Sequence, residues 1–126
     1  MHTKEQLLEL HSEHQEWQSK INFYKSELKS FDNELLNLAK QFTSGDKMPT
    51  IEHFQNQFIV QNEVLDIMRH DFKQYENEIE FIQEHAVDKT IGGIHEMKAD
   101  QLEKLSSFEK VYHELRDEFH NFTKHN

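Results

Sequence analysis

Cysteine is absent from this sequence of 126 residues, which also contains only three glycines and one proline. Without cysteine the chain can form neither a disulfide nor a thiolate metal site, and it has no cysteine nucleophile. Lack of cysteine is also in keeping with a cytoplasmic location, which we expect. Because sheet-containing folds of this length normally need more turn residues, the scarcity of glycine and proline predicts an all-α protein.

Long apolar runs and clusters of positive charge are lacking as well. No segment approaches the roughly 18 apolar residues of a membrane-spanning helix, and charges interleave the leucines near residue 8, unlike in a secretory signal. The formal net charge is −10, so the chain should repel phosphate backbones. We therefore expect neither a membrane nor a nucleic acid as partner.

Signatures of catalysis are missing too. The sequence has no glycine-rich phosphate loop, no Gly-x-Ser-x-Gly and no Glu-x-x-His pair of the kind that holds two irons in ferritin-like bundles. Pairs of carboxylates carry little information in a chain with 24 acidic residues. The sequence predicts a protein that is not an enzyme and has no cofactor.

A seven-residue hydrophobic repeat runs through three segments of the chain. Residues recur at alternating spacings of three and four, which are the a and d positions of a coiled coil. We call these three sets the seams. The seam of the first segment is Leu7, Leu10, His14, Trp17, Ile21, Tyr24, Leu28, Phe31, Leu35, Leu38 and Phe42. The second is Ile51, Phe54, Phe58, Gln61, Leu65, Met68, Phe72, Tyr75, Ile79, Ile82 and Ala86, and the third is Ile94, Lys98, Gln101, Leu105, Phe108, Tyr112, Leu115, Phe119 and Phe122.

Glycine and proline interrupt the repeat in two places only, near residues 43–50 and 87–94. Thr50 is the natural N-cap of the second helix, because its hydroxyl can accept a hydrogen bond from a free amide of the first turn. Short connections make neighbouring helices antiparallel. The sequence therefore predicts one domain, residues 1–126, folded as an elongated antiparallel three-helix bundle with coiled-coil-like heptad packing. Its helices should span about residues 4–43, 50–87 and 91–123.

Three seam positions carry polar side chains, namely His14, Gln61 and Gln101. If the turns are centred on the two breaks, His14 lies level with Ile79 of the second helix and with Gln101 of the third. Buried polar residues hydrogen-bonded across a core fix the register of helices at some cost in stability. We interpret these three residues as a core polar layer.

Histidines offer an alternative interpretation of the same end of the bundle. His11, His14, His85 and His95 are predicted to gather at the open end, with glutamates nearby. Imidazole and carboxylate ligands suit Zn²⁺, Cu²⁺ or Ni²⁺. A metal-binding bundle is therefore the alternative hypothesis, although buried polar residues more often serve helix pairing.

A second group of histidines and carboxylates follows one stripe of the third helix, at Glu109, His113, Asp117 and His120. Such spacing can chelate a transition metal weakly from one helix face. The stripe is predicted to face solvent with no second element closing it. A solvated charged face is the preferred interpretation.

Some apolar residues lie outside the seams. Val60, Ile67 and Phe81 share one heptad position of the second helix, and Phe23 occupies the same position of the first. An exposed apolar strip on a charged protein often marks a contact surface. We expect a protein that acts through protein–protein contacts at this strip, with self-association as a homodimer preferred and a protein partner as the alternative. In a homodimer a two-fold axis would set helix 2 against helix 2.

Overall fold

The computed structural model describes residues 4–42, 46–85 and 91–124, and all of their side chains except those of residues 4–7, 83, 85 and 91–95. Within these ranges the chain forms three α-helices and no β-strand. They are α1 (Lys4–Gln41), α2 (Met48–His85) and α3 (Ile91–Lys124). Helix α1 packs against α2, and α2 packs against α3. The prediction of an all-α three-helix bundle is confirmed.

The helices are long for a chain of this size. At about 1.5 Å per residue, the 38 residues of α1 and of α2 each extend roughly 57 Å, and the 34 residues of α3 extend roughly 51 Å. None of the described helices carries an apolar stretch that could cross a membrane. The length of the helices spreads the core along the bundle as a chain of side-chain layers.

The core consists of seam residues. Each side chain that the structure describes as buried occupies a seam position, on all three helices. Seam residues near the ends of the helices, such as Leu38, Lys98 and Phe122, are half-buried because they have fewer neighbours. The seven-residue period thus accounts for which residues lie inside, while the left-handed supercoil that such a period implies stays a prediction.

Aromatic rings from all three helices meet near the α1–α2 connection. The ring centroid of Phe119 lies 5.2 Å from that of Phe31, 5.4 Å from that of Phe54 and 5.1 Å from that of Phe58. The rings are tilted or edge-on to one another, which suits their quadrupoles better than face-to-face stacking. This layer locks the register of the three helices at that end.

The start of α2 differs from the sequence-based expectation. The amide of Ile51 donates a hydrogen bond of 3.0 Å to the carbonyl of Lys47, so Lys47 and not Thr50 occupies the N-cap. The helix begins at Met48 and includes Pro49 in its first turn, where the missing amide proton would have had no intrahelical partner. The prediction for Thr50 is wrong because the proline favours an earlier start.

The other boundaries are close to those predicted. Helix α1 ends at Gln41 and α2 at His85, each two residues earlier than expected, and α3 contains both Gly92 and Gly93. At the end of α1, the amide of Phe42 still donates to the carbonyl of Leu38, at 3.1 Å.

These boundaries change which residues lie level with each other. The expected end of α1 and start of α2, at 43 and 50, are each two residues too late compared with the observed 41 and 48. In an antiparallel pair the two errors add to four residues, about one helical turn. His14 accordingly contacts Phe72 and Tyr75, one turn away from the expected Ile79.

Truncation of a seam residue should destabilise the bundle strongly. Leu28 is only 3% exposed, whereas Leu36, two turns further along α1, is 47% exposed. We expect Leu28→Ala to lower the free energy of unfolding by about 2–5 kcal/mol, and the matched control Leu36→Ala to change it by less than about 0.5 kcal/mol. Urea unfolding followed by circular dichroism measures both. Equal effects of the two changes would contradict the observed seam.

Candidate functional site

The three polar seam residues are all buried, with one side chain from each helix. They do not share a single level, however. Gln61 lies two heptads from Tyr75 along α2, or roughly 21 Å, and it lines a groove at the side of the bundle. His14 contacts Tyr75 near the open end, where the salt bridge from Lys98 to Glu13, at 2.7 Å, brings the α3 segment around Gln101 alongside. The polar residues therefore form two separate features.

His14 is held in a defined orientation by a backbone group. Its Nε2 atom lies 2.8 Å from the carbonyl oxygen of Phe72. Since a carbonyl oxygen can only accept, Nε2 must carry the proton. The ring also stacks on Tyr75, with centroids 5.9 Å apart, and meets Phe72 edge-on at 6.1 Å. The other nitrogen, Nδ1, is left to face the polar groups of this end of the bundle.

Glu76 of α2 lies between two histidines of α1. One carboxylate oxygen is 3.6 Å from Nδ1 of His11, and the other is 3.5 Å from Nδ1 of His14. Both distances exceed that of a normal hydrogen bond but allow an ion pair. A proton taken up by either ring would therefore lie next to a negative charge.

The metal hypothesis has only part of its ligand set within the described residues. His11 and His14 lie beside Glu76, but the side chains of His85 and His95 are outside the described residues. Among the side chains that the structure describes, no group of three or more histidines and carboxylates is arranged to hold a metal ion. The four-histidine site stays a prediction.

Buried polar atoms without a hydrogen-bond partner in the described part of the chain come from all three helices. They are Nδ1 of His14 on α1, the hydroxyl of Tyr75 on α2 and the side-chain oxygen of Gln101 on α3. Burial, followed by the negative charge of Glu13, raises the pKa of Tyr75 to about 12. A buried polar group without a partner costs stability. The open end is thus the less stable part of the core.

Reciprocal tyrosine–glutamate pairs join α1 to α3. The hydroxyl of Tyr24 on α1 donates to Glu109 of α3, and the hydroxyl of Tyr112 on α3 donates to Glu27 of α1, at 2.5 Å. Burial and then these hydrogen bonds to carboxylates raise the pKa of both tyrosines well above its usual value. The seam pattern predicted buried rings here and gave no sign of where the hydroxyls go.

One residue of the histidine stripe on α3 lies differently from expectation. Glu109 was predicted to face solvent, but it turns towards α1, where it accepts from Tyr24 and pairs with Lys20 at 3.7 Å. The ring of His113 also contacts Tyr24, with centroids 6.3 Å apart. The prediction for Glu109 is wrong because a tyrosine hydroxyl at the edge of the core draws the carboxylate inward.

An apolar groove runs between α2 and α3. Its volume is about 500 Å³, and its floor is formed by the core residues Met68 and Phe108. Val64 and Ile67 of α2 form one side, and Val111 of α3 lies on the other. Ile67 is 62% exposed and Val111 49% exposed. An apolar side chain that entered this groove would contact the core itself.

The predicted interface residues are exposed, but they do not all border this groove. Ile67 lines it, and Val60, which is 46% exposed, lies one heptad earlier on the same face of α2. Phe81 is exposed two heptads beyond Ile67. Phe23 packs its ring against Tyr24 at 5.7 Å and so lies beside the α1–α3 pairs. Val111 was not among the predicted interface residues, although it too lies outside the seam of its helix.

A second groove lies between α1 and α2 and has a different character. It has a volume of about 570 Å³ and is bordered by Lys25, Lys29, Asp32 and Arg69 above the core residue Phe58. Lys25 forms a salt bridge to Asp66, and Arg69 donates to Asn22 at 3.0 Å. Two of its four charged residues are thus already engaged between the two helices, and its border is more polar than that of the α2–α3 groove, which is therefore the stronger candidate for a contact surface.

Comparisons of the chain with protein families, with curated proteins and with solved structures find no match. No relative therefore supplies a function that could be carried over. The function must be inferred from the surface and the buried polar groups of the molecule itself.

Replacement of His14 by leucine tests whether the histidine is structural. The carbonyl of Phe72 belongs to α2 and keeps its helical hydrogen bond, while the unpartnered Nδ1 is removed. We expect His14→Leu to stay folded and to change the free energy of unfolding by about 1 kcal/mol or less, in the stabilising direction if the leucine packs well. Calorimetry gives the stability. A stoichiometric Zn²⁺ site in the wild type that His14→Leu abolishes would instead support the metal hypothesis.

The three tyrosines predict how stability depends on pH. A folded pKa above the usual value of 10.0 means that the folded state keeps its proton where the unfolded chain loses it. The contribution of these tyrosines to the free energy of unfolding should therefore be constant below about pH 10 and fall as the pH rises towards 12. Tyr75→Phe removes one such group, so its decrease should be shallower. Tyrosinate absorbance that develops at pH 10 in a fully helical protein would contradict the burial of these rings.

Proposed function

We propose that this protein is a non-enzymatic helical bundle that acts by binding another protein through the groove between α2 and α3. The observation that carries the proposal is the exposure of Ile67 and Val111 on the two sides of a groove whose floor is the hydrophobic core. Exposed apolar surface of this kind, bordered by charged residues, is typical of a contact site.

The shape of the groove suits a helix. Two long helices with a gap between them offer an extended apolar channel, and an amphipathic helix can lay one face into such a channel with anchors at i, i+3, i+4 and i+7. Val60 and Ile67 are one heptad apart, or roughly 10.5 Å along α2. A partner helix of two or three turns would contact both of them.

A second copy of this chain is a less favourable occupant than a different protein. Each copy carries a formal charge of −10, so two copies repel each other at low ionic strength. A two-fold contact through α2 would also have to match one acidic helix to itself. Homodimer formation stays a prediction of the sequence, and we propose the helix of a partner protein as the occupant.

Binding of a neutral helical peptide tests this proposal without knowledge of the natural partner. The probe is an 18-residue peptide with leucine on one helical face and glutamine on the other. We expect it to shift the NMR resonances of Ile67 and Val111 selectively. Ile67→Lys should weaken binding about tenfold or more, because it sets a charge into the apolar contact.

A matched control and a parallel measurement complete the test. Leu36→Lys makes a similar change on α1, away from the groove, and should bind the peptide as the wild type does. Sedimentation of the wild type and of Ile67→Lys, at concentrations up to tens of micromolar, reports self-association. A dimer that Ile67→Lys abolishes would make a second copy the occupant. If the peptide does not bind and the protein does not dimerise, the proposal is overturned.

A further inference from the structure

We infer that the α2–α3 groove takes a positively charged amphipathic helix, with lysine or arginine flanking its apolar face. This inference rests on the proposed function and specifies the chemistry of the partner. It depends on the charges along the groove, because apolar contact alone would not distinguish a positively charged helix from a neutral or negatively charged one.

The border of the groove is acidic after its own salt bridges are counted. Asp100 and Glu103 line it on α3, and Asp71 lies beside it on α2. Lys104, the one cation among the residues lining the described groove, is shared between Asp71 at 3.3 Å and Asp100 at 3.1 Å. Its hydrogen bonds to these two carboxylates raise the pKa of Lys104, so its charge is fixed in place.

Negative charge is therefore left over for a partner. Three carboxylates face one ammonium group, and Glu103 is exposed and has no ion pair within the described part of the chain. Asp100 has 58% of its side chain exposed, so a second cation can reach it as well. A helix that places basic residues on either side of its apolar face would pair with these groups as its apolar side chains enter the groove.

The overall charge favours the same partner. With a net charge of −10, the chain attracts a cationic segment over a distance of about one Debye length, roughly 8 Å at physiological salt. The same field repels nucleic acids, anionic membrane surfaces and further copies of the chain. Apolar contact would supply most of the affinity, and charge would supply the choice of partner and the rate of association.

Three peptides with the same leucine face separate these contributions. Their polar faces carry lysine, glutamine or glutamate, and binding is measured by fluorescence anisotropy at low and at physiological salt. We expect the lysine peptide to bind at least about tenfold more tightly than the glutamine peptide, and the glutamate peptide to bind least. Added salt should weaken binding of the lysine peptide and leave binding of the glutamine peptide nearly unchanged.

Two charge reversals distinguish the groove from the general charge of the protein. Glu103→Lys lies at the groove, and Glu34→Lys makes the same change in net charge at an exposed position of α1. We expect Glu103→Lys to weaken binding of the lysine peptide several-fold more than Glu34→Lys does. The circular dichroism of both variants should match that of the wild type. Equal weakening would reduce the effect to bulk attraction and overturn the inference.

The remaining outcomes separate the charge preference of the groove from its role as a docking site. If the three peptides bind equally and Ile67→Lys weakens all of them, the groove is a docking site without charge preference, so the inference fails and the proposed function stands. If Ile67→Lys leaves binding of both the lysine and the glutamine peptide unchanged, the peptides bind elsewhere and both the inference and the proposed function are overturned.

Discussion

Burial of three continuous apolar seams is the constraint on which the rest of the structure depends. Intrinsic propensity alone does not stabilise these helices in water, and each carries an apolar seam, so each must cover its seam with the other two. All of the buried side chains that the structure describes obey this rule, including the polar His14, Gln61 and Gln101. A polar side chain at a seam position is therefore buried with the apolar ones and needs hydrogen-bond partners within the core.

The same constraint explains why helix α3 makes two different junctions. Towards α1, the bulky rings of Tyr24 and Tyr112 fill the space between the helices, and their hydroxyls reach Glu109 and Glu27 across it. Towards α2, Val64 and Ile67 border the groove on one side, and Ser107 and Val111 of α3 border it on the other. These side chains leave a gap of about 500 Å³ above the core residues Met68 and Phe108.

The sequence was sufficient to predict the helices and the residues of the core, because a hydrophobic period is a local property of each segment. It failed where an outcome depends on a precise relation between distant segments. An error of two residues at each end of the α1–α2 connection moved His14 by a full turn, from Ile79 to Tyr75. The destination of a tyrosine hydroxyl depends on register in the same way, which is why the turn of Glu109 towards Tyr24 could not be foreseen.

The open end and the groove each lower stability, but for opposite reasons: one buries polar groups and the other exposes apolar groups. At the open end, buried polar atoms of Tyr75, His14 and Gln101 lack a hydrogen bond, and a change to an apolar residue removes the cost of burying them. At the groove, Ile67 and Val111 keep apolar surface in water, and only a partner can cover it. Ile67 lies eight residues, or roughly 12 Å, from Tyr75 along α2, so substitutions at these two positions should act independently. Gln101, in contrast, is the neighbour of the groove residue Asp100 on α3. Stabilising changes at Tyr75 or His14 should therefore leave the groove free to bind.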